Sequence, residues 1–136
     1  MRRVILFALG LAVAPVVACH GSPPSPTSQV IAGIRTINAS ELKSELDGGK
    51  VKILVDVRTP EEFSTGHVPG AVNIPLDQLS GRMSELASYQ PGEVHLICRS
   101  GNRSLAASQS LLSKGYTPVN VAGGTEAWKQ SGYAVN

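Results

Sequence analysis

The sequence has little that would bind nucleic acid, a metal ion or a nucleotide. Charged residues make up 16% of the chain and the formal net charge is +2. No run of basic residues is interleaved with aromatic ones, so nothing supports binding to nucleic acid. No cluster of His, Cys and Asp has the spacing of metal ligands, and no glycine-rich loop of the P-loop type occurs. We therefore predict no metal, no other cofactor and no nucleic-acid partner.

Long apolar runs are also scarce, and the one present lies at the N-terminus. Residues 1–18 combine the basic start Met1-Arg2-Arg3 with an apolar run that is too short for a typical membrane span, which is the layout of a secretory signal peptide. The run ends in Val16-Val17-Ala18-Cys19, which resembles the lipobox of bacterial lipoproteins. This resemblance implies cleavage before Cys19 and a lipid on its thiol. Ordinary secretion with Cys19 left unmodified is the alternative.

Residues 19–32 are predicted to be a linker. Proline and serine are dense between Ser22 and Ser28, and such a composition favours an extended, solvated spacer over a packed core. We therefore expect an exported protein of the cell envelope or periplasm, attached to a membrane only through a lipid on Cys19.

The chain has two cysteines, Cys19 and Cys98. If Cys19 is lipidated, Cys98 has no partner within the chain, although exported proteins live in an oxidising compartment. An unpaired cysteine in that setting indicates a reactive thiol or an intermolecular bridge. A Cys19–Cys98 disulfide competes with this interpretation, but it would place one partner in a flexible tether.

Cys98 lies where a predicted strand turns into a predicted helix. The apolar run 94–97 precedes it, and Leu105, Ala106, Leu111 and Leu112 form an apolar helical stripe after it. A tight strand-to-helix turn directs backbone N–H groups and the positive end of the helix dipole at one spot, and such surroundings stabilise a thiolate. A buried structural cysteine is the alternative. The polar loop that follows would make a poor core, so we predict that Cys98 is a nucleophile.

Predicted strands and helices alternate from residue 33 to residue 136. The clearest strand is 51–57, which is nearly all apolar, as in a parallel sheet covered on both faces. Asp56 and Arg58, at its end, could bind substrate, but an ion pair or turn-fixing hydrogen bonds beside the site are favoured. The alternation predicts one α/β domain with a central, mostly parallel sheet flanked by helices, and a site beyond the carboxyl ends of the strands. Further strands are expected at 34–37 and 117–121, and further helices after Asn38 or Ser40, from Pro60, over 76–86 and over 125–129.

Four segments together resemble the rhodanese family of single-domain sulfurtransferases. They are Leu54–Arg58 with Glu61-Glu62-Phe63, Gly66–Pro75, Cys98–Ser104 and Gly123–Trp128. The resemblance covers about residue 33 to the end and implies a three-layer rhodanese-like domain. It also implies a persulfide mechanism, in which Cys98 takes sulfur from a small anionic donor such as thiosulfate and passes it to a thiol, or to cyanide.

The resemblance assigns substrate-binding roles to the loop after Cys98. Its amides would stabilise the sulfur anion, and Arg103 and Arg99 would attract the donor and lower the pKa of the thiol. The substrate-binding residues so implied are Arg99, Ser100, Gly101, Asn102, Arg103 and Ser104.

Two other functions compete with sulfur transfer. Related domains with phosphatase or arsenate reductase activity use a longer Cys-x5-Arg loop, whereas four residues separate Cys98 from Arg103 and Ser104 stands where the longer loop needs arginine. A non-catalytic binding or persulfide-carrier module of the same fold is the second alternative. Among the other conspicuous residues, His67 is predicted to be a loop hydrogen-bonder, and His95, Trp128 and Met83 are predicted to be packing residues.

Overall fold

The computed structural model describes residues 29–136. The predicted signal peptide, Cys19 and most of the predicted linker lie outside this range, so export and lipidation stay predictions. Within it, no helix is both long and apolar enough to cross a membrane. The elements in chain order are β1 (Gln29–Ile31), β2 (Ile34–Ile37), α1 (Ala39–Asp47), β3 (Leu54–Asp56), α2 (Pro60–Ser64), β4 (Val72–Asn73), α3 (Leu79–Arg82) with a 3₁₀ helix (Met83–Tyr89), β5 (Glu93–Ile97), α4 (Asn102–Leu112), β6 (Thr117–Val121) and α5 (Gly124–Gln130).

The six strands form one sheet in the order β1-β2-β6-β5-β3-β4. All neighbours are parallel except β1, which is antiparallel to β2. This confirms the predicted α/β fold with a mostly parallel sheet. Because β5 lies between β3 and β6, the loops that follow these three strands meet at one end of the sheet.

Local signals place most of the elements. Asn38 caps α1 in a capping box with Glu41, and Thr59 caps α2 in another with Glu62, as Ser/Thr/Asn-x-x-Glu patterns favour. The predicted helix over 76–86 is instead a single α-helical turn that continues as the 3₁₀ helix. Gly81 lies within that turn, and glycine weakens a helix interior.

Two predicted boundaries differ from the structure. Gln29 to Ile31, which the sequence analysis assigns to the linker, pair with β2, because Ala32 and Gly33 both have positive φ and so form the two-residue turn that a hairpin needs. The predicted strand 51–57 is shortened to β3. Its first paired position is Leu54 opposite His95, so residues 51–53 precede the paired part of the sheet.

Two apolar cores cover the two faces of the sheet and make three layers. One core contains Leu79 and Leu86 with Ala107 and Leu111 of α4. The other contains Leu42 of α1 and Trp128 of α5. Cys98 belongs to the first core and is 1% exposed, so the loop that follows it leaves the sheet from a buried position.

Candidate active site

The Cys98 loop is held in place by the start of α5. The N–H of Thr125 donates to the carbonyl of Cys98 at 2.8 Å, and that of Glu126 donates to the carbonyl of Arg99 at 3.0 Å. These carbonyls approach Gly124 so closely that a Cβ there would overlap the Cys98 oxygen and lie 2.5 Å from that of Arg99. The Gly123-Gly124 pair therefore serves as the platform on which the loop rests.

Hydrogen-bond donors converge on the Cys98 sulfur. The N–H of Gly101 lies 3.1 Å from Sγ, and the Ser104 hydroxyl lies 3.4 Å from it. Gly101 has a φ of +105°, a conformation that glycine adopts readily and that turns the chain around the sulfur. The loop thus forms the backbone cradle that the sequence predicts.

The pKa of the Cys98 thiol lies below its ordinary value. Burial by itself raises the pKa, because it disfavours the charged form. The hydrogen bond from the Ser104 hydroxyl and those from the backbone N–H groups of Ser104, Gly101 and Ser100 lower the pKa, and together they outweigh burial. Cys98 has no disulfide partner among the described residues, and its lowered pKa favours the thiolate, which is the nucleophilic form of cysteine.

The two loop arginines are each paired with a glutamate. Arg103 forms a fork with Glu62, with both N···O distances 2.7 Å, and Arg99, whose side chain is 67% exposed, meets Glu126 at 2.7 Å. Arg103, with Arg99, is predicted to lower the thiol pKa. The hydrogen bonds described above are the main cause of the lowering, and the charge of Arg103 also interacts with Cys98. The effect of Arg103 is greatest on Glu62, whose pKa falls to about 2. Asn102 is exposed and its side chain makes no hydrogen bond to another described residue.

Asp56 and Arg58 form the buried ion pair that the sequence analysis favours. Arg58 Nη2 lies 2.7 Å from Asp56 Oδ2, and the two side chains are 4% and 0% exposed. Arg58 also donates to the carbonyl of Gly66 at 2.9 Å, and the Asn73 amide donates to the carbonyls of Asp56 and Arg58, both at 2.9 Å. Removing one member of such a pair typically costs about 3–5 kcal/mol of stability. The pair therefore shapes the loop next to Cys98.

The family follows from this geometry together with comparison to known proteins. Residues 38–131 match the rhodanese-like domain. The chain belongs to the rhodanese family. It is 35% identical over 103 residues to a sulfurtransferase of Allochromatium vinosum, covering 75% of this chain and 94% of that protein.

A human relative and a solved structure agree with this membership. The chain is 37% identical over 111 residues to the thiosulfate:glutathione sulfurtransferase of Homo sapiens, covering 72% of this chain and 96% of that protein. The crystal structure of a rhodanese-related protein from Thermoplasma volcanium superposes with a TM-score of 0.67 at 34% identity, covering 74% of this chain and 96% of that one. The three-layer rhodanese fold is thereby confirmed.

A pocket of about 330 Å³ lies beside the Cys98 loop of this rhodanese domain. Three of the residues that line it carry a positive charge, and Lys129 is the one whose side chain makes no hydrogen bond or ion pair with another described residue. The residues that line the pocket are Arg58, Glu62, Thr65, Arg99, Thr125, Glu126 and Lys129. The pocket therefore offers an anion a route toward the loop.

Sequence reasoning missed two residues that contact the rhodanese loop. The local sequence around Glu62 indicates only a capping box, in which it is the third helical residue. Its ion pair with Arg103 joins residues 41 positions apart, which no local pattern predicts. Asn120 accepts a hydrogen bond from Ser104 at 2.7 Å, and it lies between two buried valines of β6. A polar residue at a buried strand position is the one sequence signal that points to it.

A second polar cluster, partly buried, lies at the opposite end of β5. The prediction for His95 is incomplete, because this buried side chain packs in the sheet but also bonds Glu45 at 2.8 Å through Nε2. Ligand atoms of Glu45, Glu93 and His95 lie within 4.8 Å of one another. However, the Arg35 guanidinium already donates to both carboxylates at 2.8 Å. The cluster joins α1, β2 and β5, and the arginine occupies the place that a metal ion would need.

His67 makes the loop hydrogen bond that is predicted for it, with Nδ1 3.1 Å from the carbonyl oxygen of Phe63.

Proposed function

We propose that this protein is a sulfurtransferase that carries sulfane sulfur on Cys98, from thiosulfate or a persulfide donor to a thiol. The observation that carries the proposal is the Cys98 sulfur, which lies against the N–H of Gly101 and has a lowered pKa. The fold and the family support it, as does the human relative whose name specifies thiosulfate and glutathione.

The reaction needs no cofactor and no external oxidant or reductant. The Cys98 thiolate attacks the outer sulfur of thiosulfate, an S–S bond forms, and sulfite leaves with the electron pair of the bond that breaks. An acceptor thiolate then attacks the outer sulfur of the Cys98 persulfide. This step releases the Cys98 thiolate and yields the acceptor persulfide. With cyanide as acceptor, the product is thiocyanate.

The loop supplies what each step requires of the protein. Negative charge stays on or next to the Cys98 sulfur throughout. The N–H of Gly101 lies 3.1 Å from that sulfur, and the N–H groups of Ser100 and Ser104 also favour its charged form. Fixed donors of this kind stabilise developing charge without reorganisation. Because the pKa of the Cys98 thiol is lowered, no separate general base is needed to form the thiolate.

We further propose that the domain works at the cell envelope. The basic and apolar start of the chain, the Val16–Cys19 segment and the proline-rich residues that follow support export and lipid attachment at Cys19. In that arrangement residues 20–28 would tether the catalytic domain to a membrane.

The proposal is tested by incubating the protein with thiosulfate and measuring its intact mass. We expect a mass increase of one sulfur atom, located by peptide mapping on the peptide that contains Cys98 and removed by cyanide as thiocyanate forms. Added sulfur without turnover to cyanide or glutathione would favour the persulfide-carrier alternative. No added sulfur from thiosulfate or from glutathione persulfide would reject the proposal and leave the binding module.

Glu62→Gln is expected to raise the rate of Cys98 persulfide formation from thiosulfate by about twofold to tenfold at low ionic strength. The reason is that Glu62 neutralises Arg103 through the bidentate pair at 2.7 Å. The uncharged glutamine side chain leaves the positive charge of Arg103 available to an anionic sulfur donor. The gain should shrink as salt is added, because salt screens exposed charges. Stopped-flow measurement of persulfide formation at several salt concentrations would show both effects.

Glu61→Gln is the matched control. It removes the same charge from the neighbouring residue, which is exposed and whose carboxylate makes no hydrogen bond or ion pair with another described residue. Equal acceleration in both variants would mean that net charge, and not release of Arg103, determines the rate.

A further inference from the structure

The Ser104 hydroxyl has more acceptors than protons. Its oxygen lies 3.4 Å from Cys98 Sγ, 3.1 Å from the carbonyl of Gly101 and 2.7 Å from Asn120 Oδ1. A hydroxyl donates one hydrogen bond, so these contacts are alternatives. The shortest is the one to Asn120, and a proton given to Asn120 is withheld from the sulfur.

Asn120 is held so that its side chain reaches Ser104. It lies in β6 opposite Thr36 of β2 and Leu96 of β5, and it is 4% exposed. Its side chain ends in an acceptor and a donor that exchange places when the amide turns over. With the NH2 group toward Ser104, the hydroxyl oxygen accepts from Asn120 and its proton is left for the sulfur.

Two complete hydrogen-bond chains are therefore available to the same three side chains. For the thiol, the Cys98 S–H donates to Ser104, which donates to Asn120 Oδ1. For the thiolate, the Asn120 NH2 donates to Ser104, which donates to the sulfur anion. In both chains the Cys98 sulfur and the Ser104 hydroxyl keep a hydrogen-bond partner, so the change of state leaves neither of them unsatisfied.

We propose that Asn120 is a positioning residue for Cys98, whose amide turns over when the sulfur becomes charged and thereby directs the Ser104 proton to the sulfur. The inference concerns the ionisation of Cys98 and holds whatever donor the protein uses. It extends the site to a residue that touches neither substrate nor sulfur.

Most charged groups around the loop are paired with one another, and the side chain of Lys129 on α5, which pairs with no other described residue, lies in the pocket beside it. Arg103 on α4 pairs with Glu62 of α2, and Arg99 pairs with Glu126 of α5. The Asp56–Arg58 pair follows β3. None of these groups makes a hydrogen bond to the side chain of Ser104 or Asn120 within residues 29–136. The hydroxyl and the amide are thus the groups through which Asn120 acts on the sulfur.

The test is a double-mutant cycle with thiol ionisation as the readout. Asn120→Asp has oxygen acceptors only, so it should retain the Ser104 proton and raise the thiol pKa by about one unit, a tenfold smaller thiolate fraction at pH values below the pKa. In a Ser104→Ala background the same change should move the pKa by less than about a third as much, because the relay is gone. Thiolate absorbance and alkylation rate against pH, without sulfur donor, report the pKa.

Equal shifts of the thiol pKa in both backgrounds would overturn the proposal, since they would show a through-space effect of charge alone.

A second measurement needs no substitution at Asn120. The side-chain NH2 resonances of Asn120 should shift with pH at the midpoint of the Cys98 titration in the wild type, and not in Cys98→Ser. Resonances that stay constant through the wild-type titration would equally overturn it. A failure of sulfur transfer would leave both readouts unaffected, so the two proposals fail separately.

Discussion

Cys98→Ser is expected to abolish persulfide formation and to lower sulfurtransferase turnover on the order of 10³-fold or more. A serine hydroxyl is scarcely ionised at neutral pH, and the Cys98 loop contains no base placed to activate it, because its hydrogen-bond donors favour an anion that is already formed. The substitution removes no carbon atom from a position that is 1% exposed. The fold should therefore persist, and circular dichroism with thermal unfolding would verify this.

Cys19→Ser is the matched control, since it makes the same chemical change at the chain's other cysteine. Its thiocyanate formation and its mass increase with thiosulfate should equal those of the wild type. Turnover that survives in folded Cys98→Ser would place the chemistry elsewhere. Full biological activity of Cys98→Ser in cells would support the binding-module alternative.

Gly124→Ala is expected to destabilise the protein by about 2–5 kcal/mol and to slow alkylation of Cys98 at neutral pH. Gly124 has a φ of +56°, and a Cβ there would overlap the carbonyl of Cys98. To relieve the overlap, either α5 or the Cys98 loop must move. Movement would weaken the bonds from Thr125 and Glu126 that hold the loop and would disturb the amides that favour the thiolate.

Gly49→Ala is the matched control, because it separates the effect of a Cβ that contacts the Cys98 loop from the effect of a positive φ. Gly49 has a similar φ of +66°, but no atom lies within 4 Å of its Cβ position. It should therefore lose only about 1–2 kcal/mol, the cost of a left-handed conformation for a residue with a Cβ, and should leave alkylation unchanged. Urea unfolding and alkylation rates of both variants make the comparison. Equal losses would show that φ alone, and not contact with the loop, sets the cost.

Much of the fold follows from short-range signals in the sequence. Asn38 and Thr59 begin helices because their side chains cap the N–H groups three residues on, and this needs no tertiary contact. Apolar runs similarly locate β5 and β6. The predictions that fail are those in which strand pairing sets the boundary of a strand. Residues 51–53 are apolar but precede the paired part of β3. Gln29–Ile31 form a strand only because β2 lies beside them.

The site divides in the same way. The predicted nucleophile Cys98, its strand-to-helix loop and the donors at Gly101 and Ser104 lie within seven consecutive residues, so the sequence indicates them directly. The role of the arginines is different. Side-chain charge predicts that Arg103 acts on the thiol, and the two charges do interact. The sequence does not predict that α2 brings Glu62 against Arg103, where a bidentate pair occupies donors that an anionic donor would otherwise meet.

The sequence by itself determined the fold class and the family, and it predicts that Cys98 is the nucleophile, because the motifs that carry each of these inferences are runs of neighbouring residues. Only the tertiary structure decided which groups surround that nucleophile. The strand order brings Asn120 of β6 to Ser104 across 16 positions, and the loops after β3 and β6 to either side of Cys98. Such pairings arise from the crossovers that order a parallel sheet, and no local periodicity encodes them.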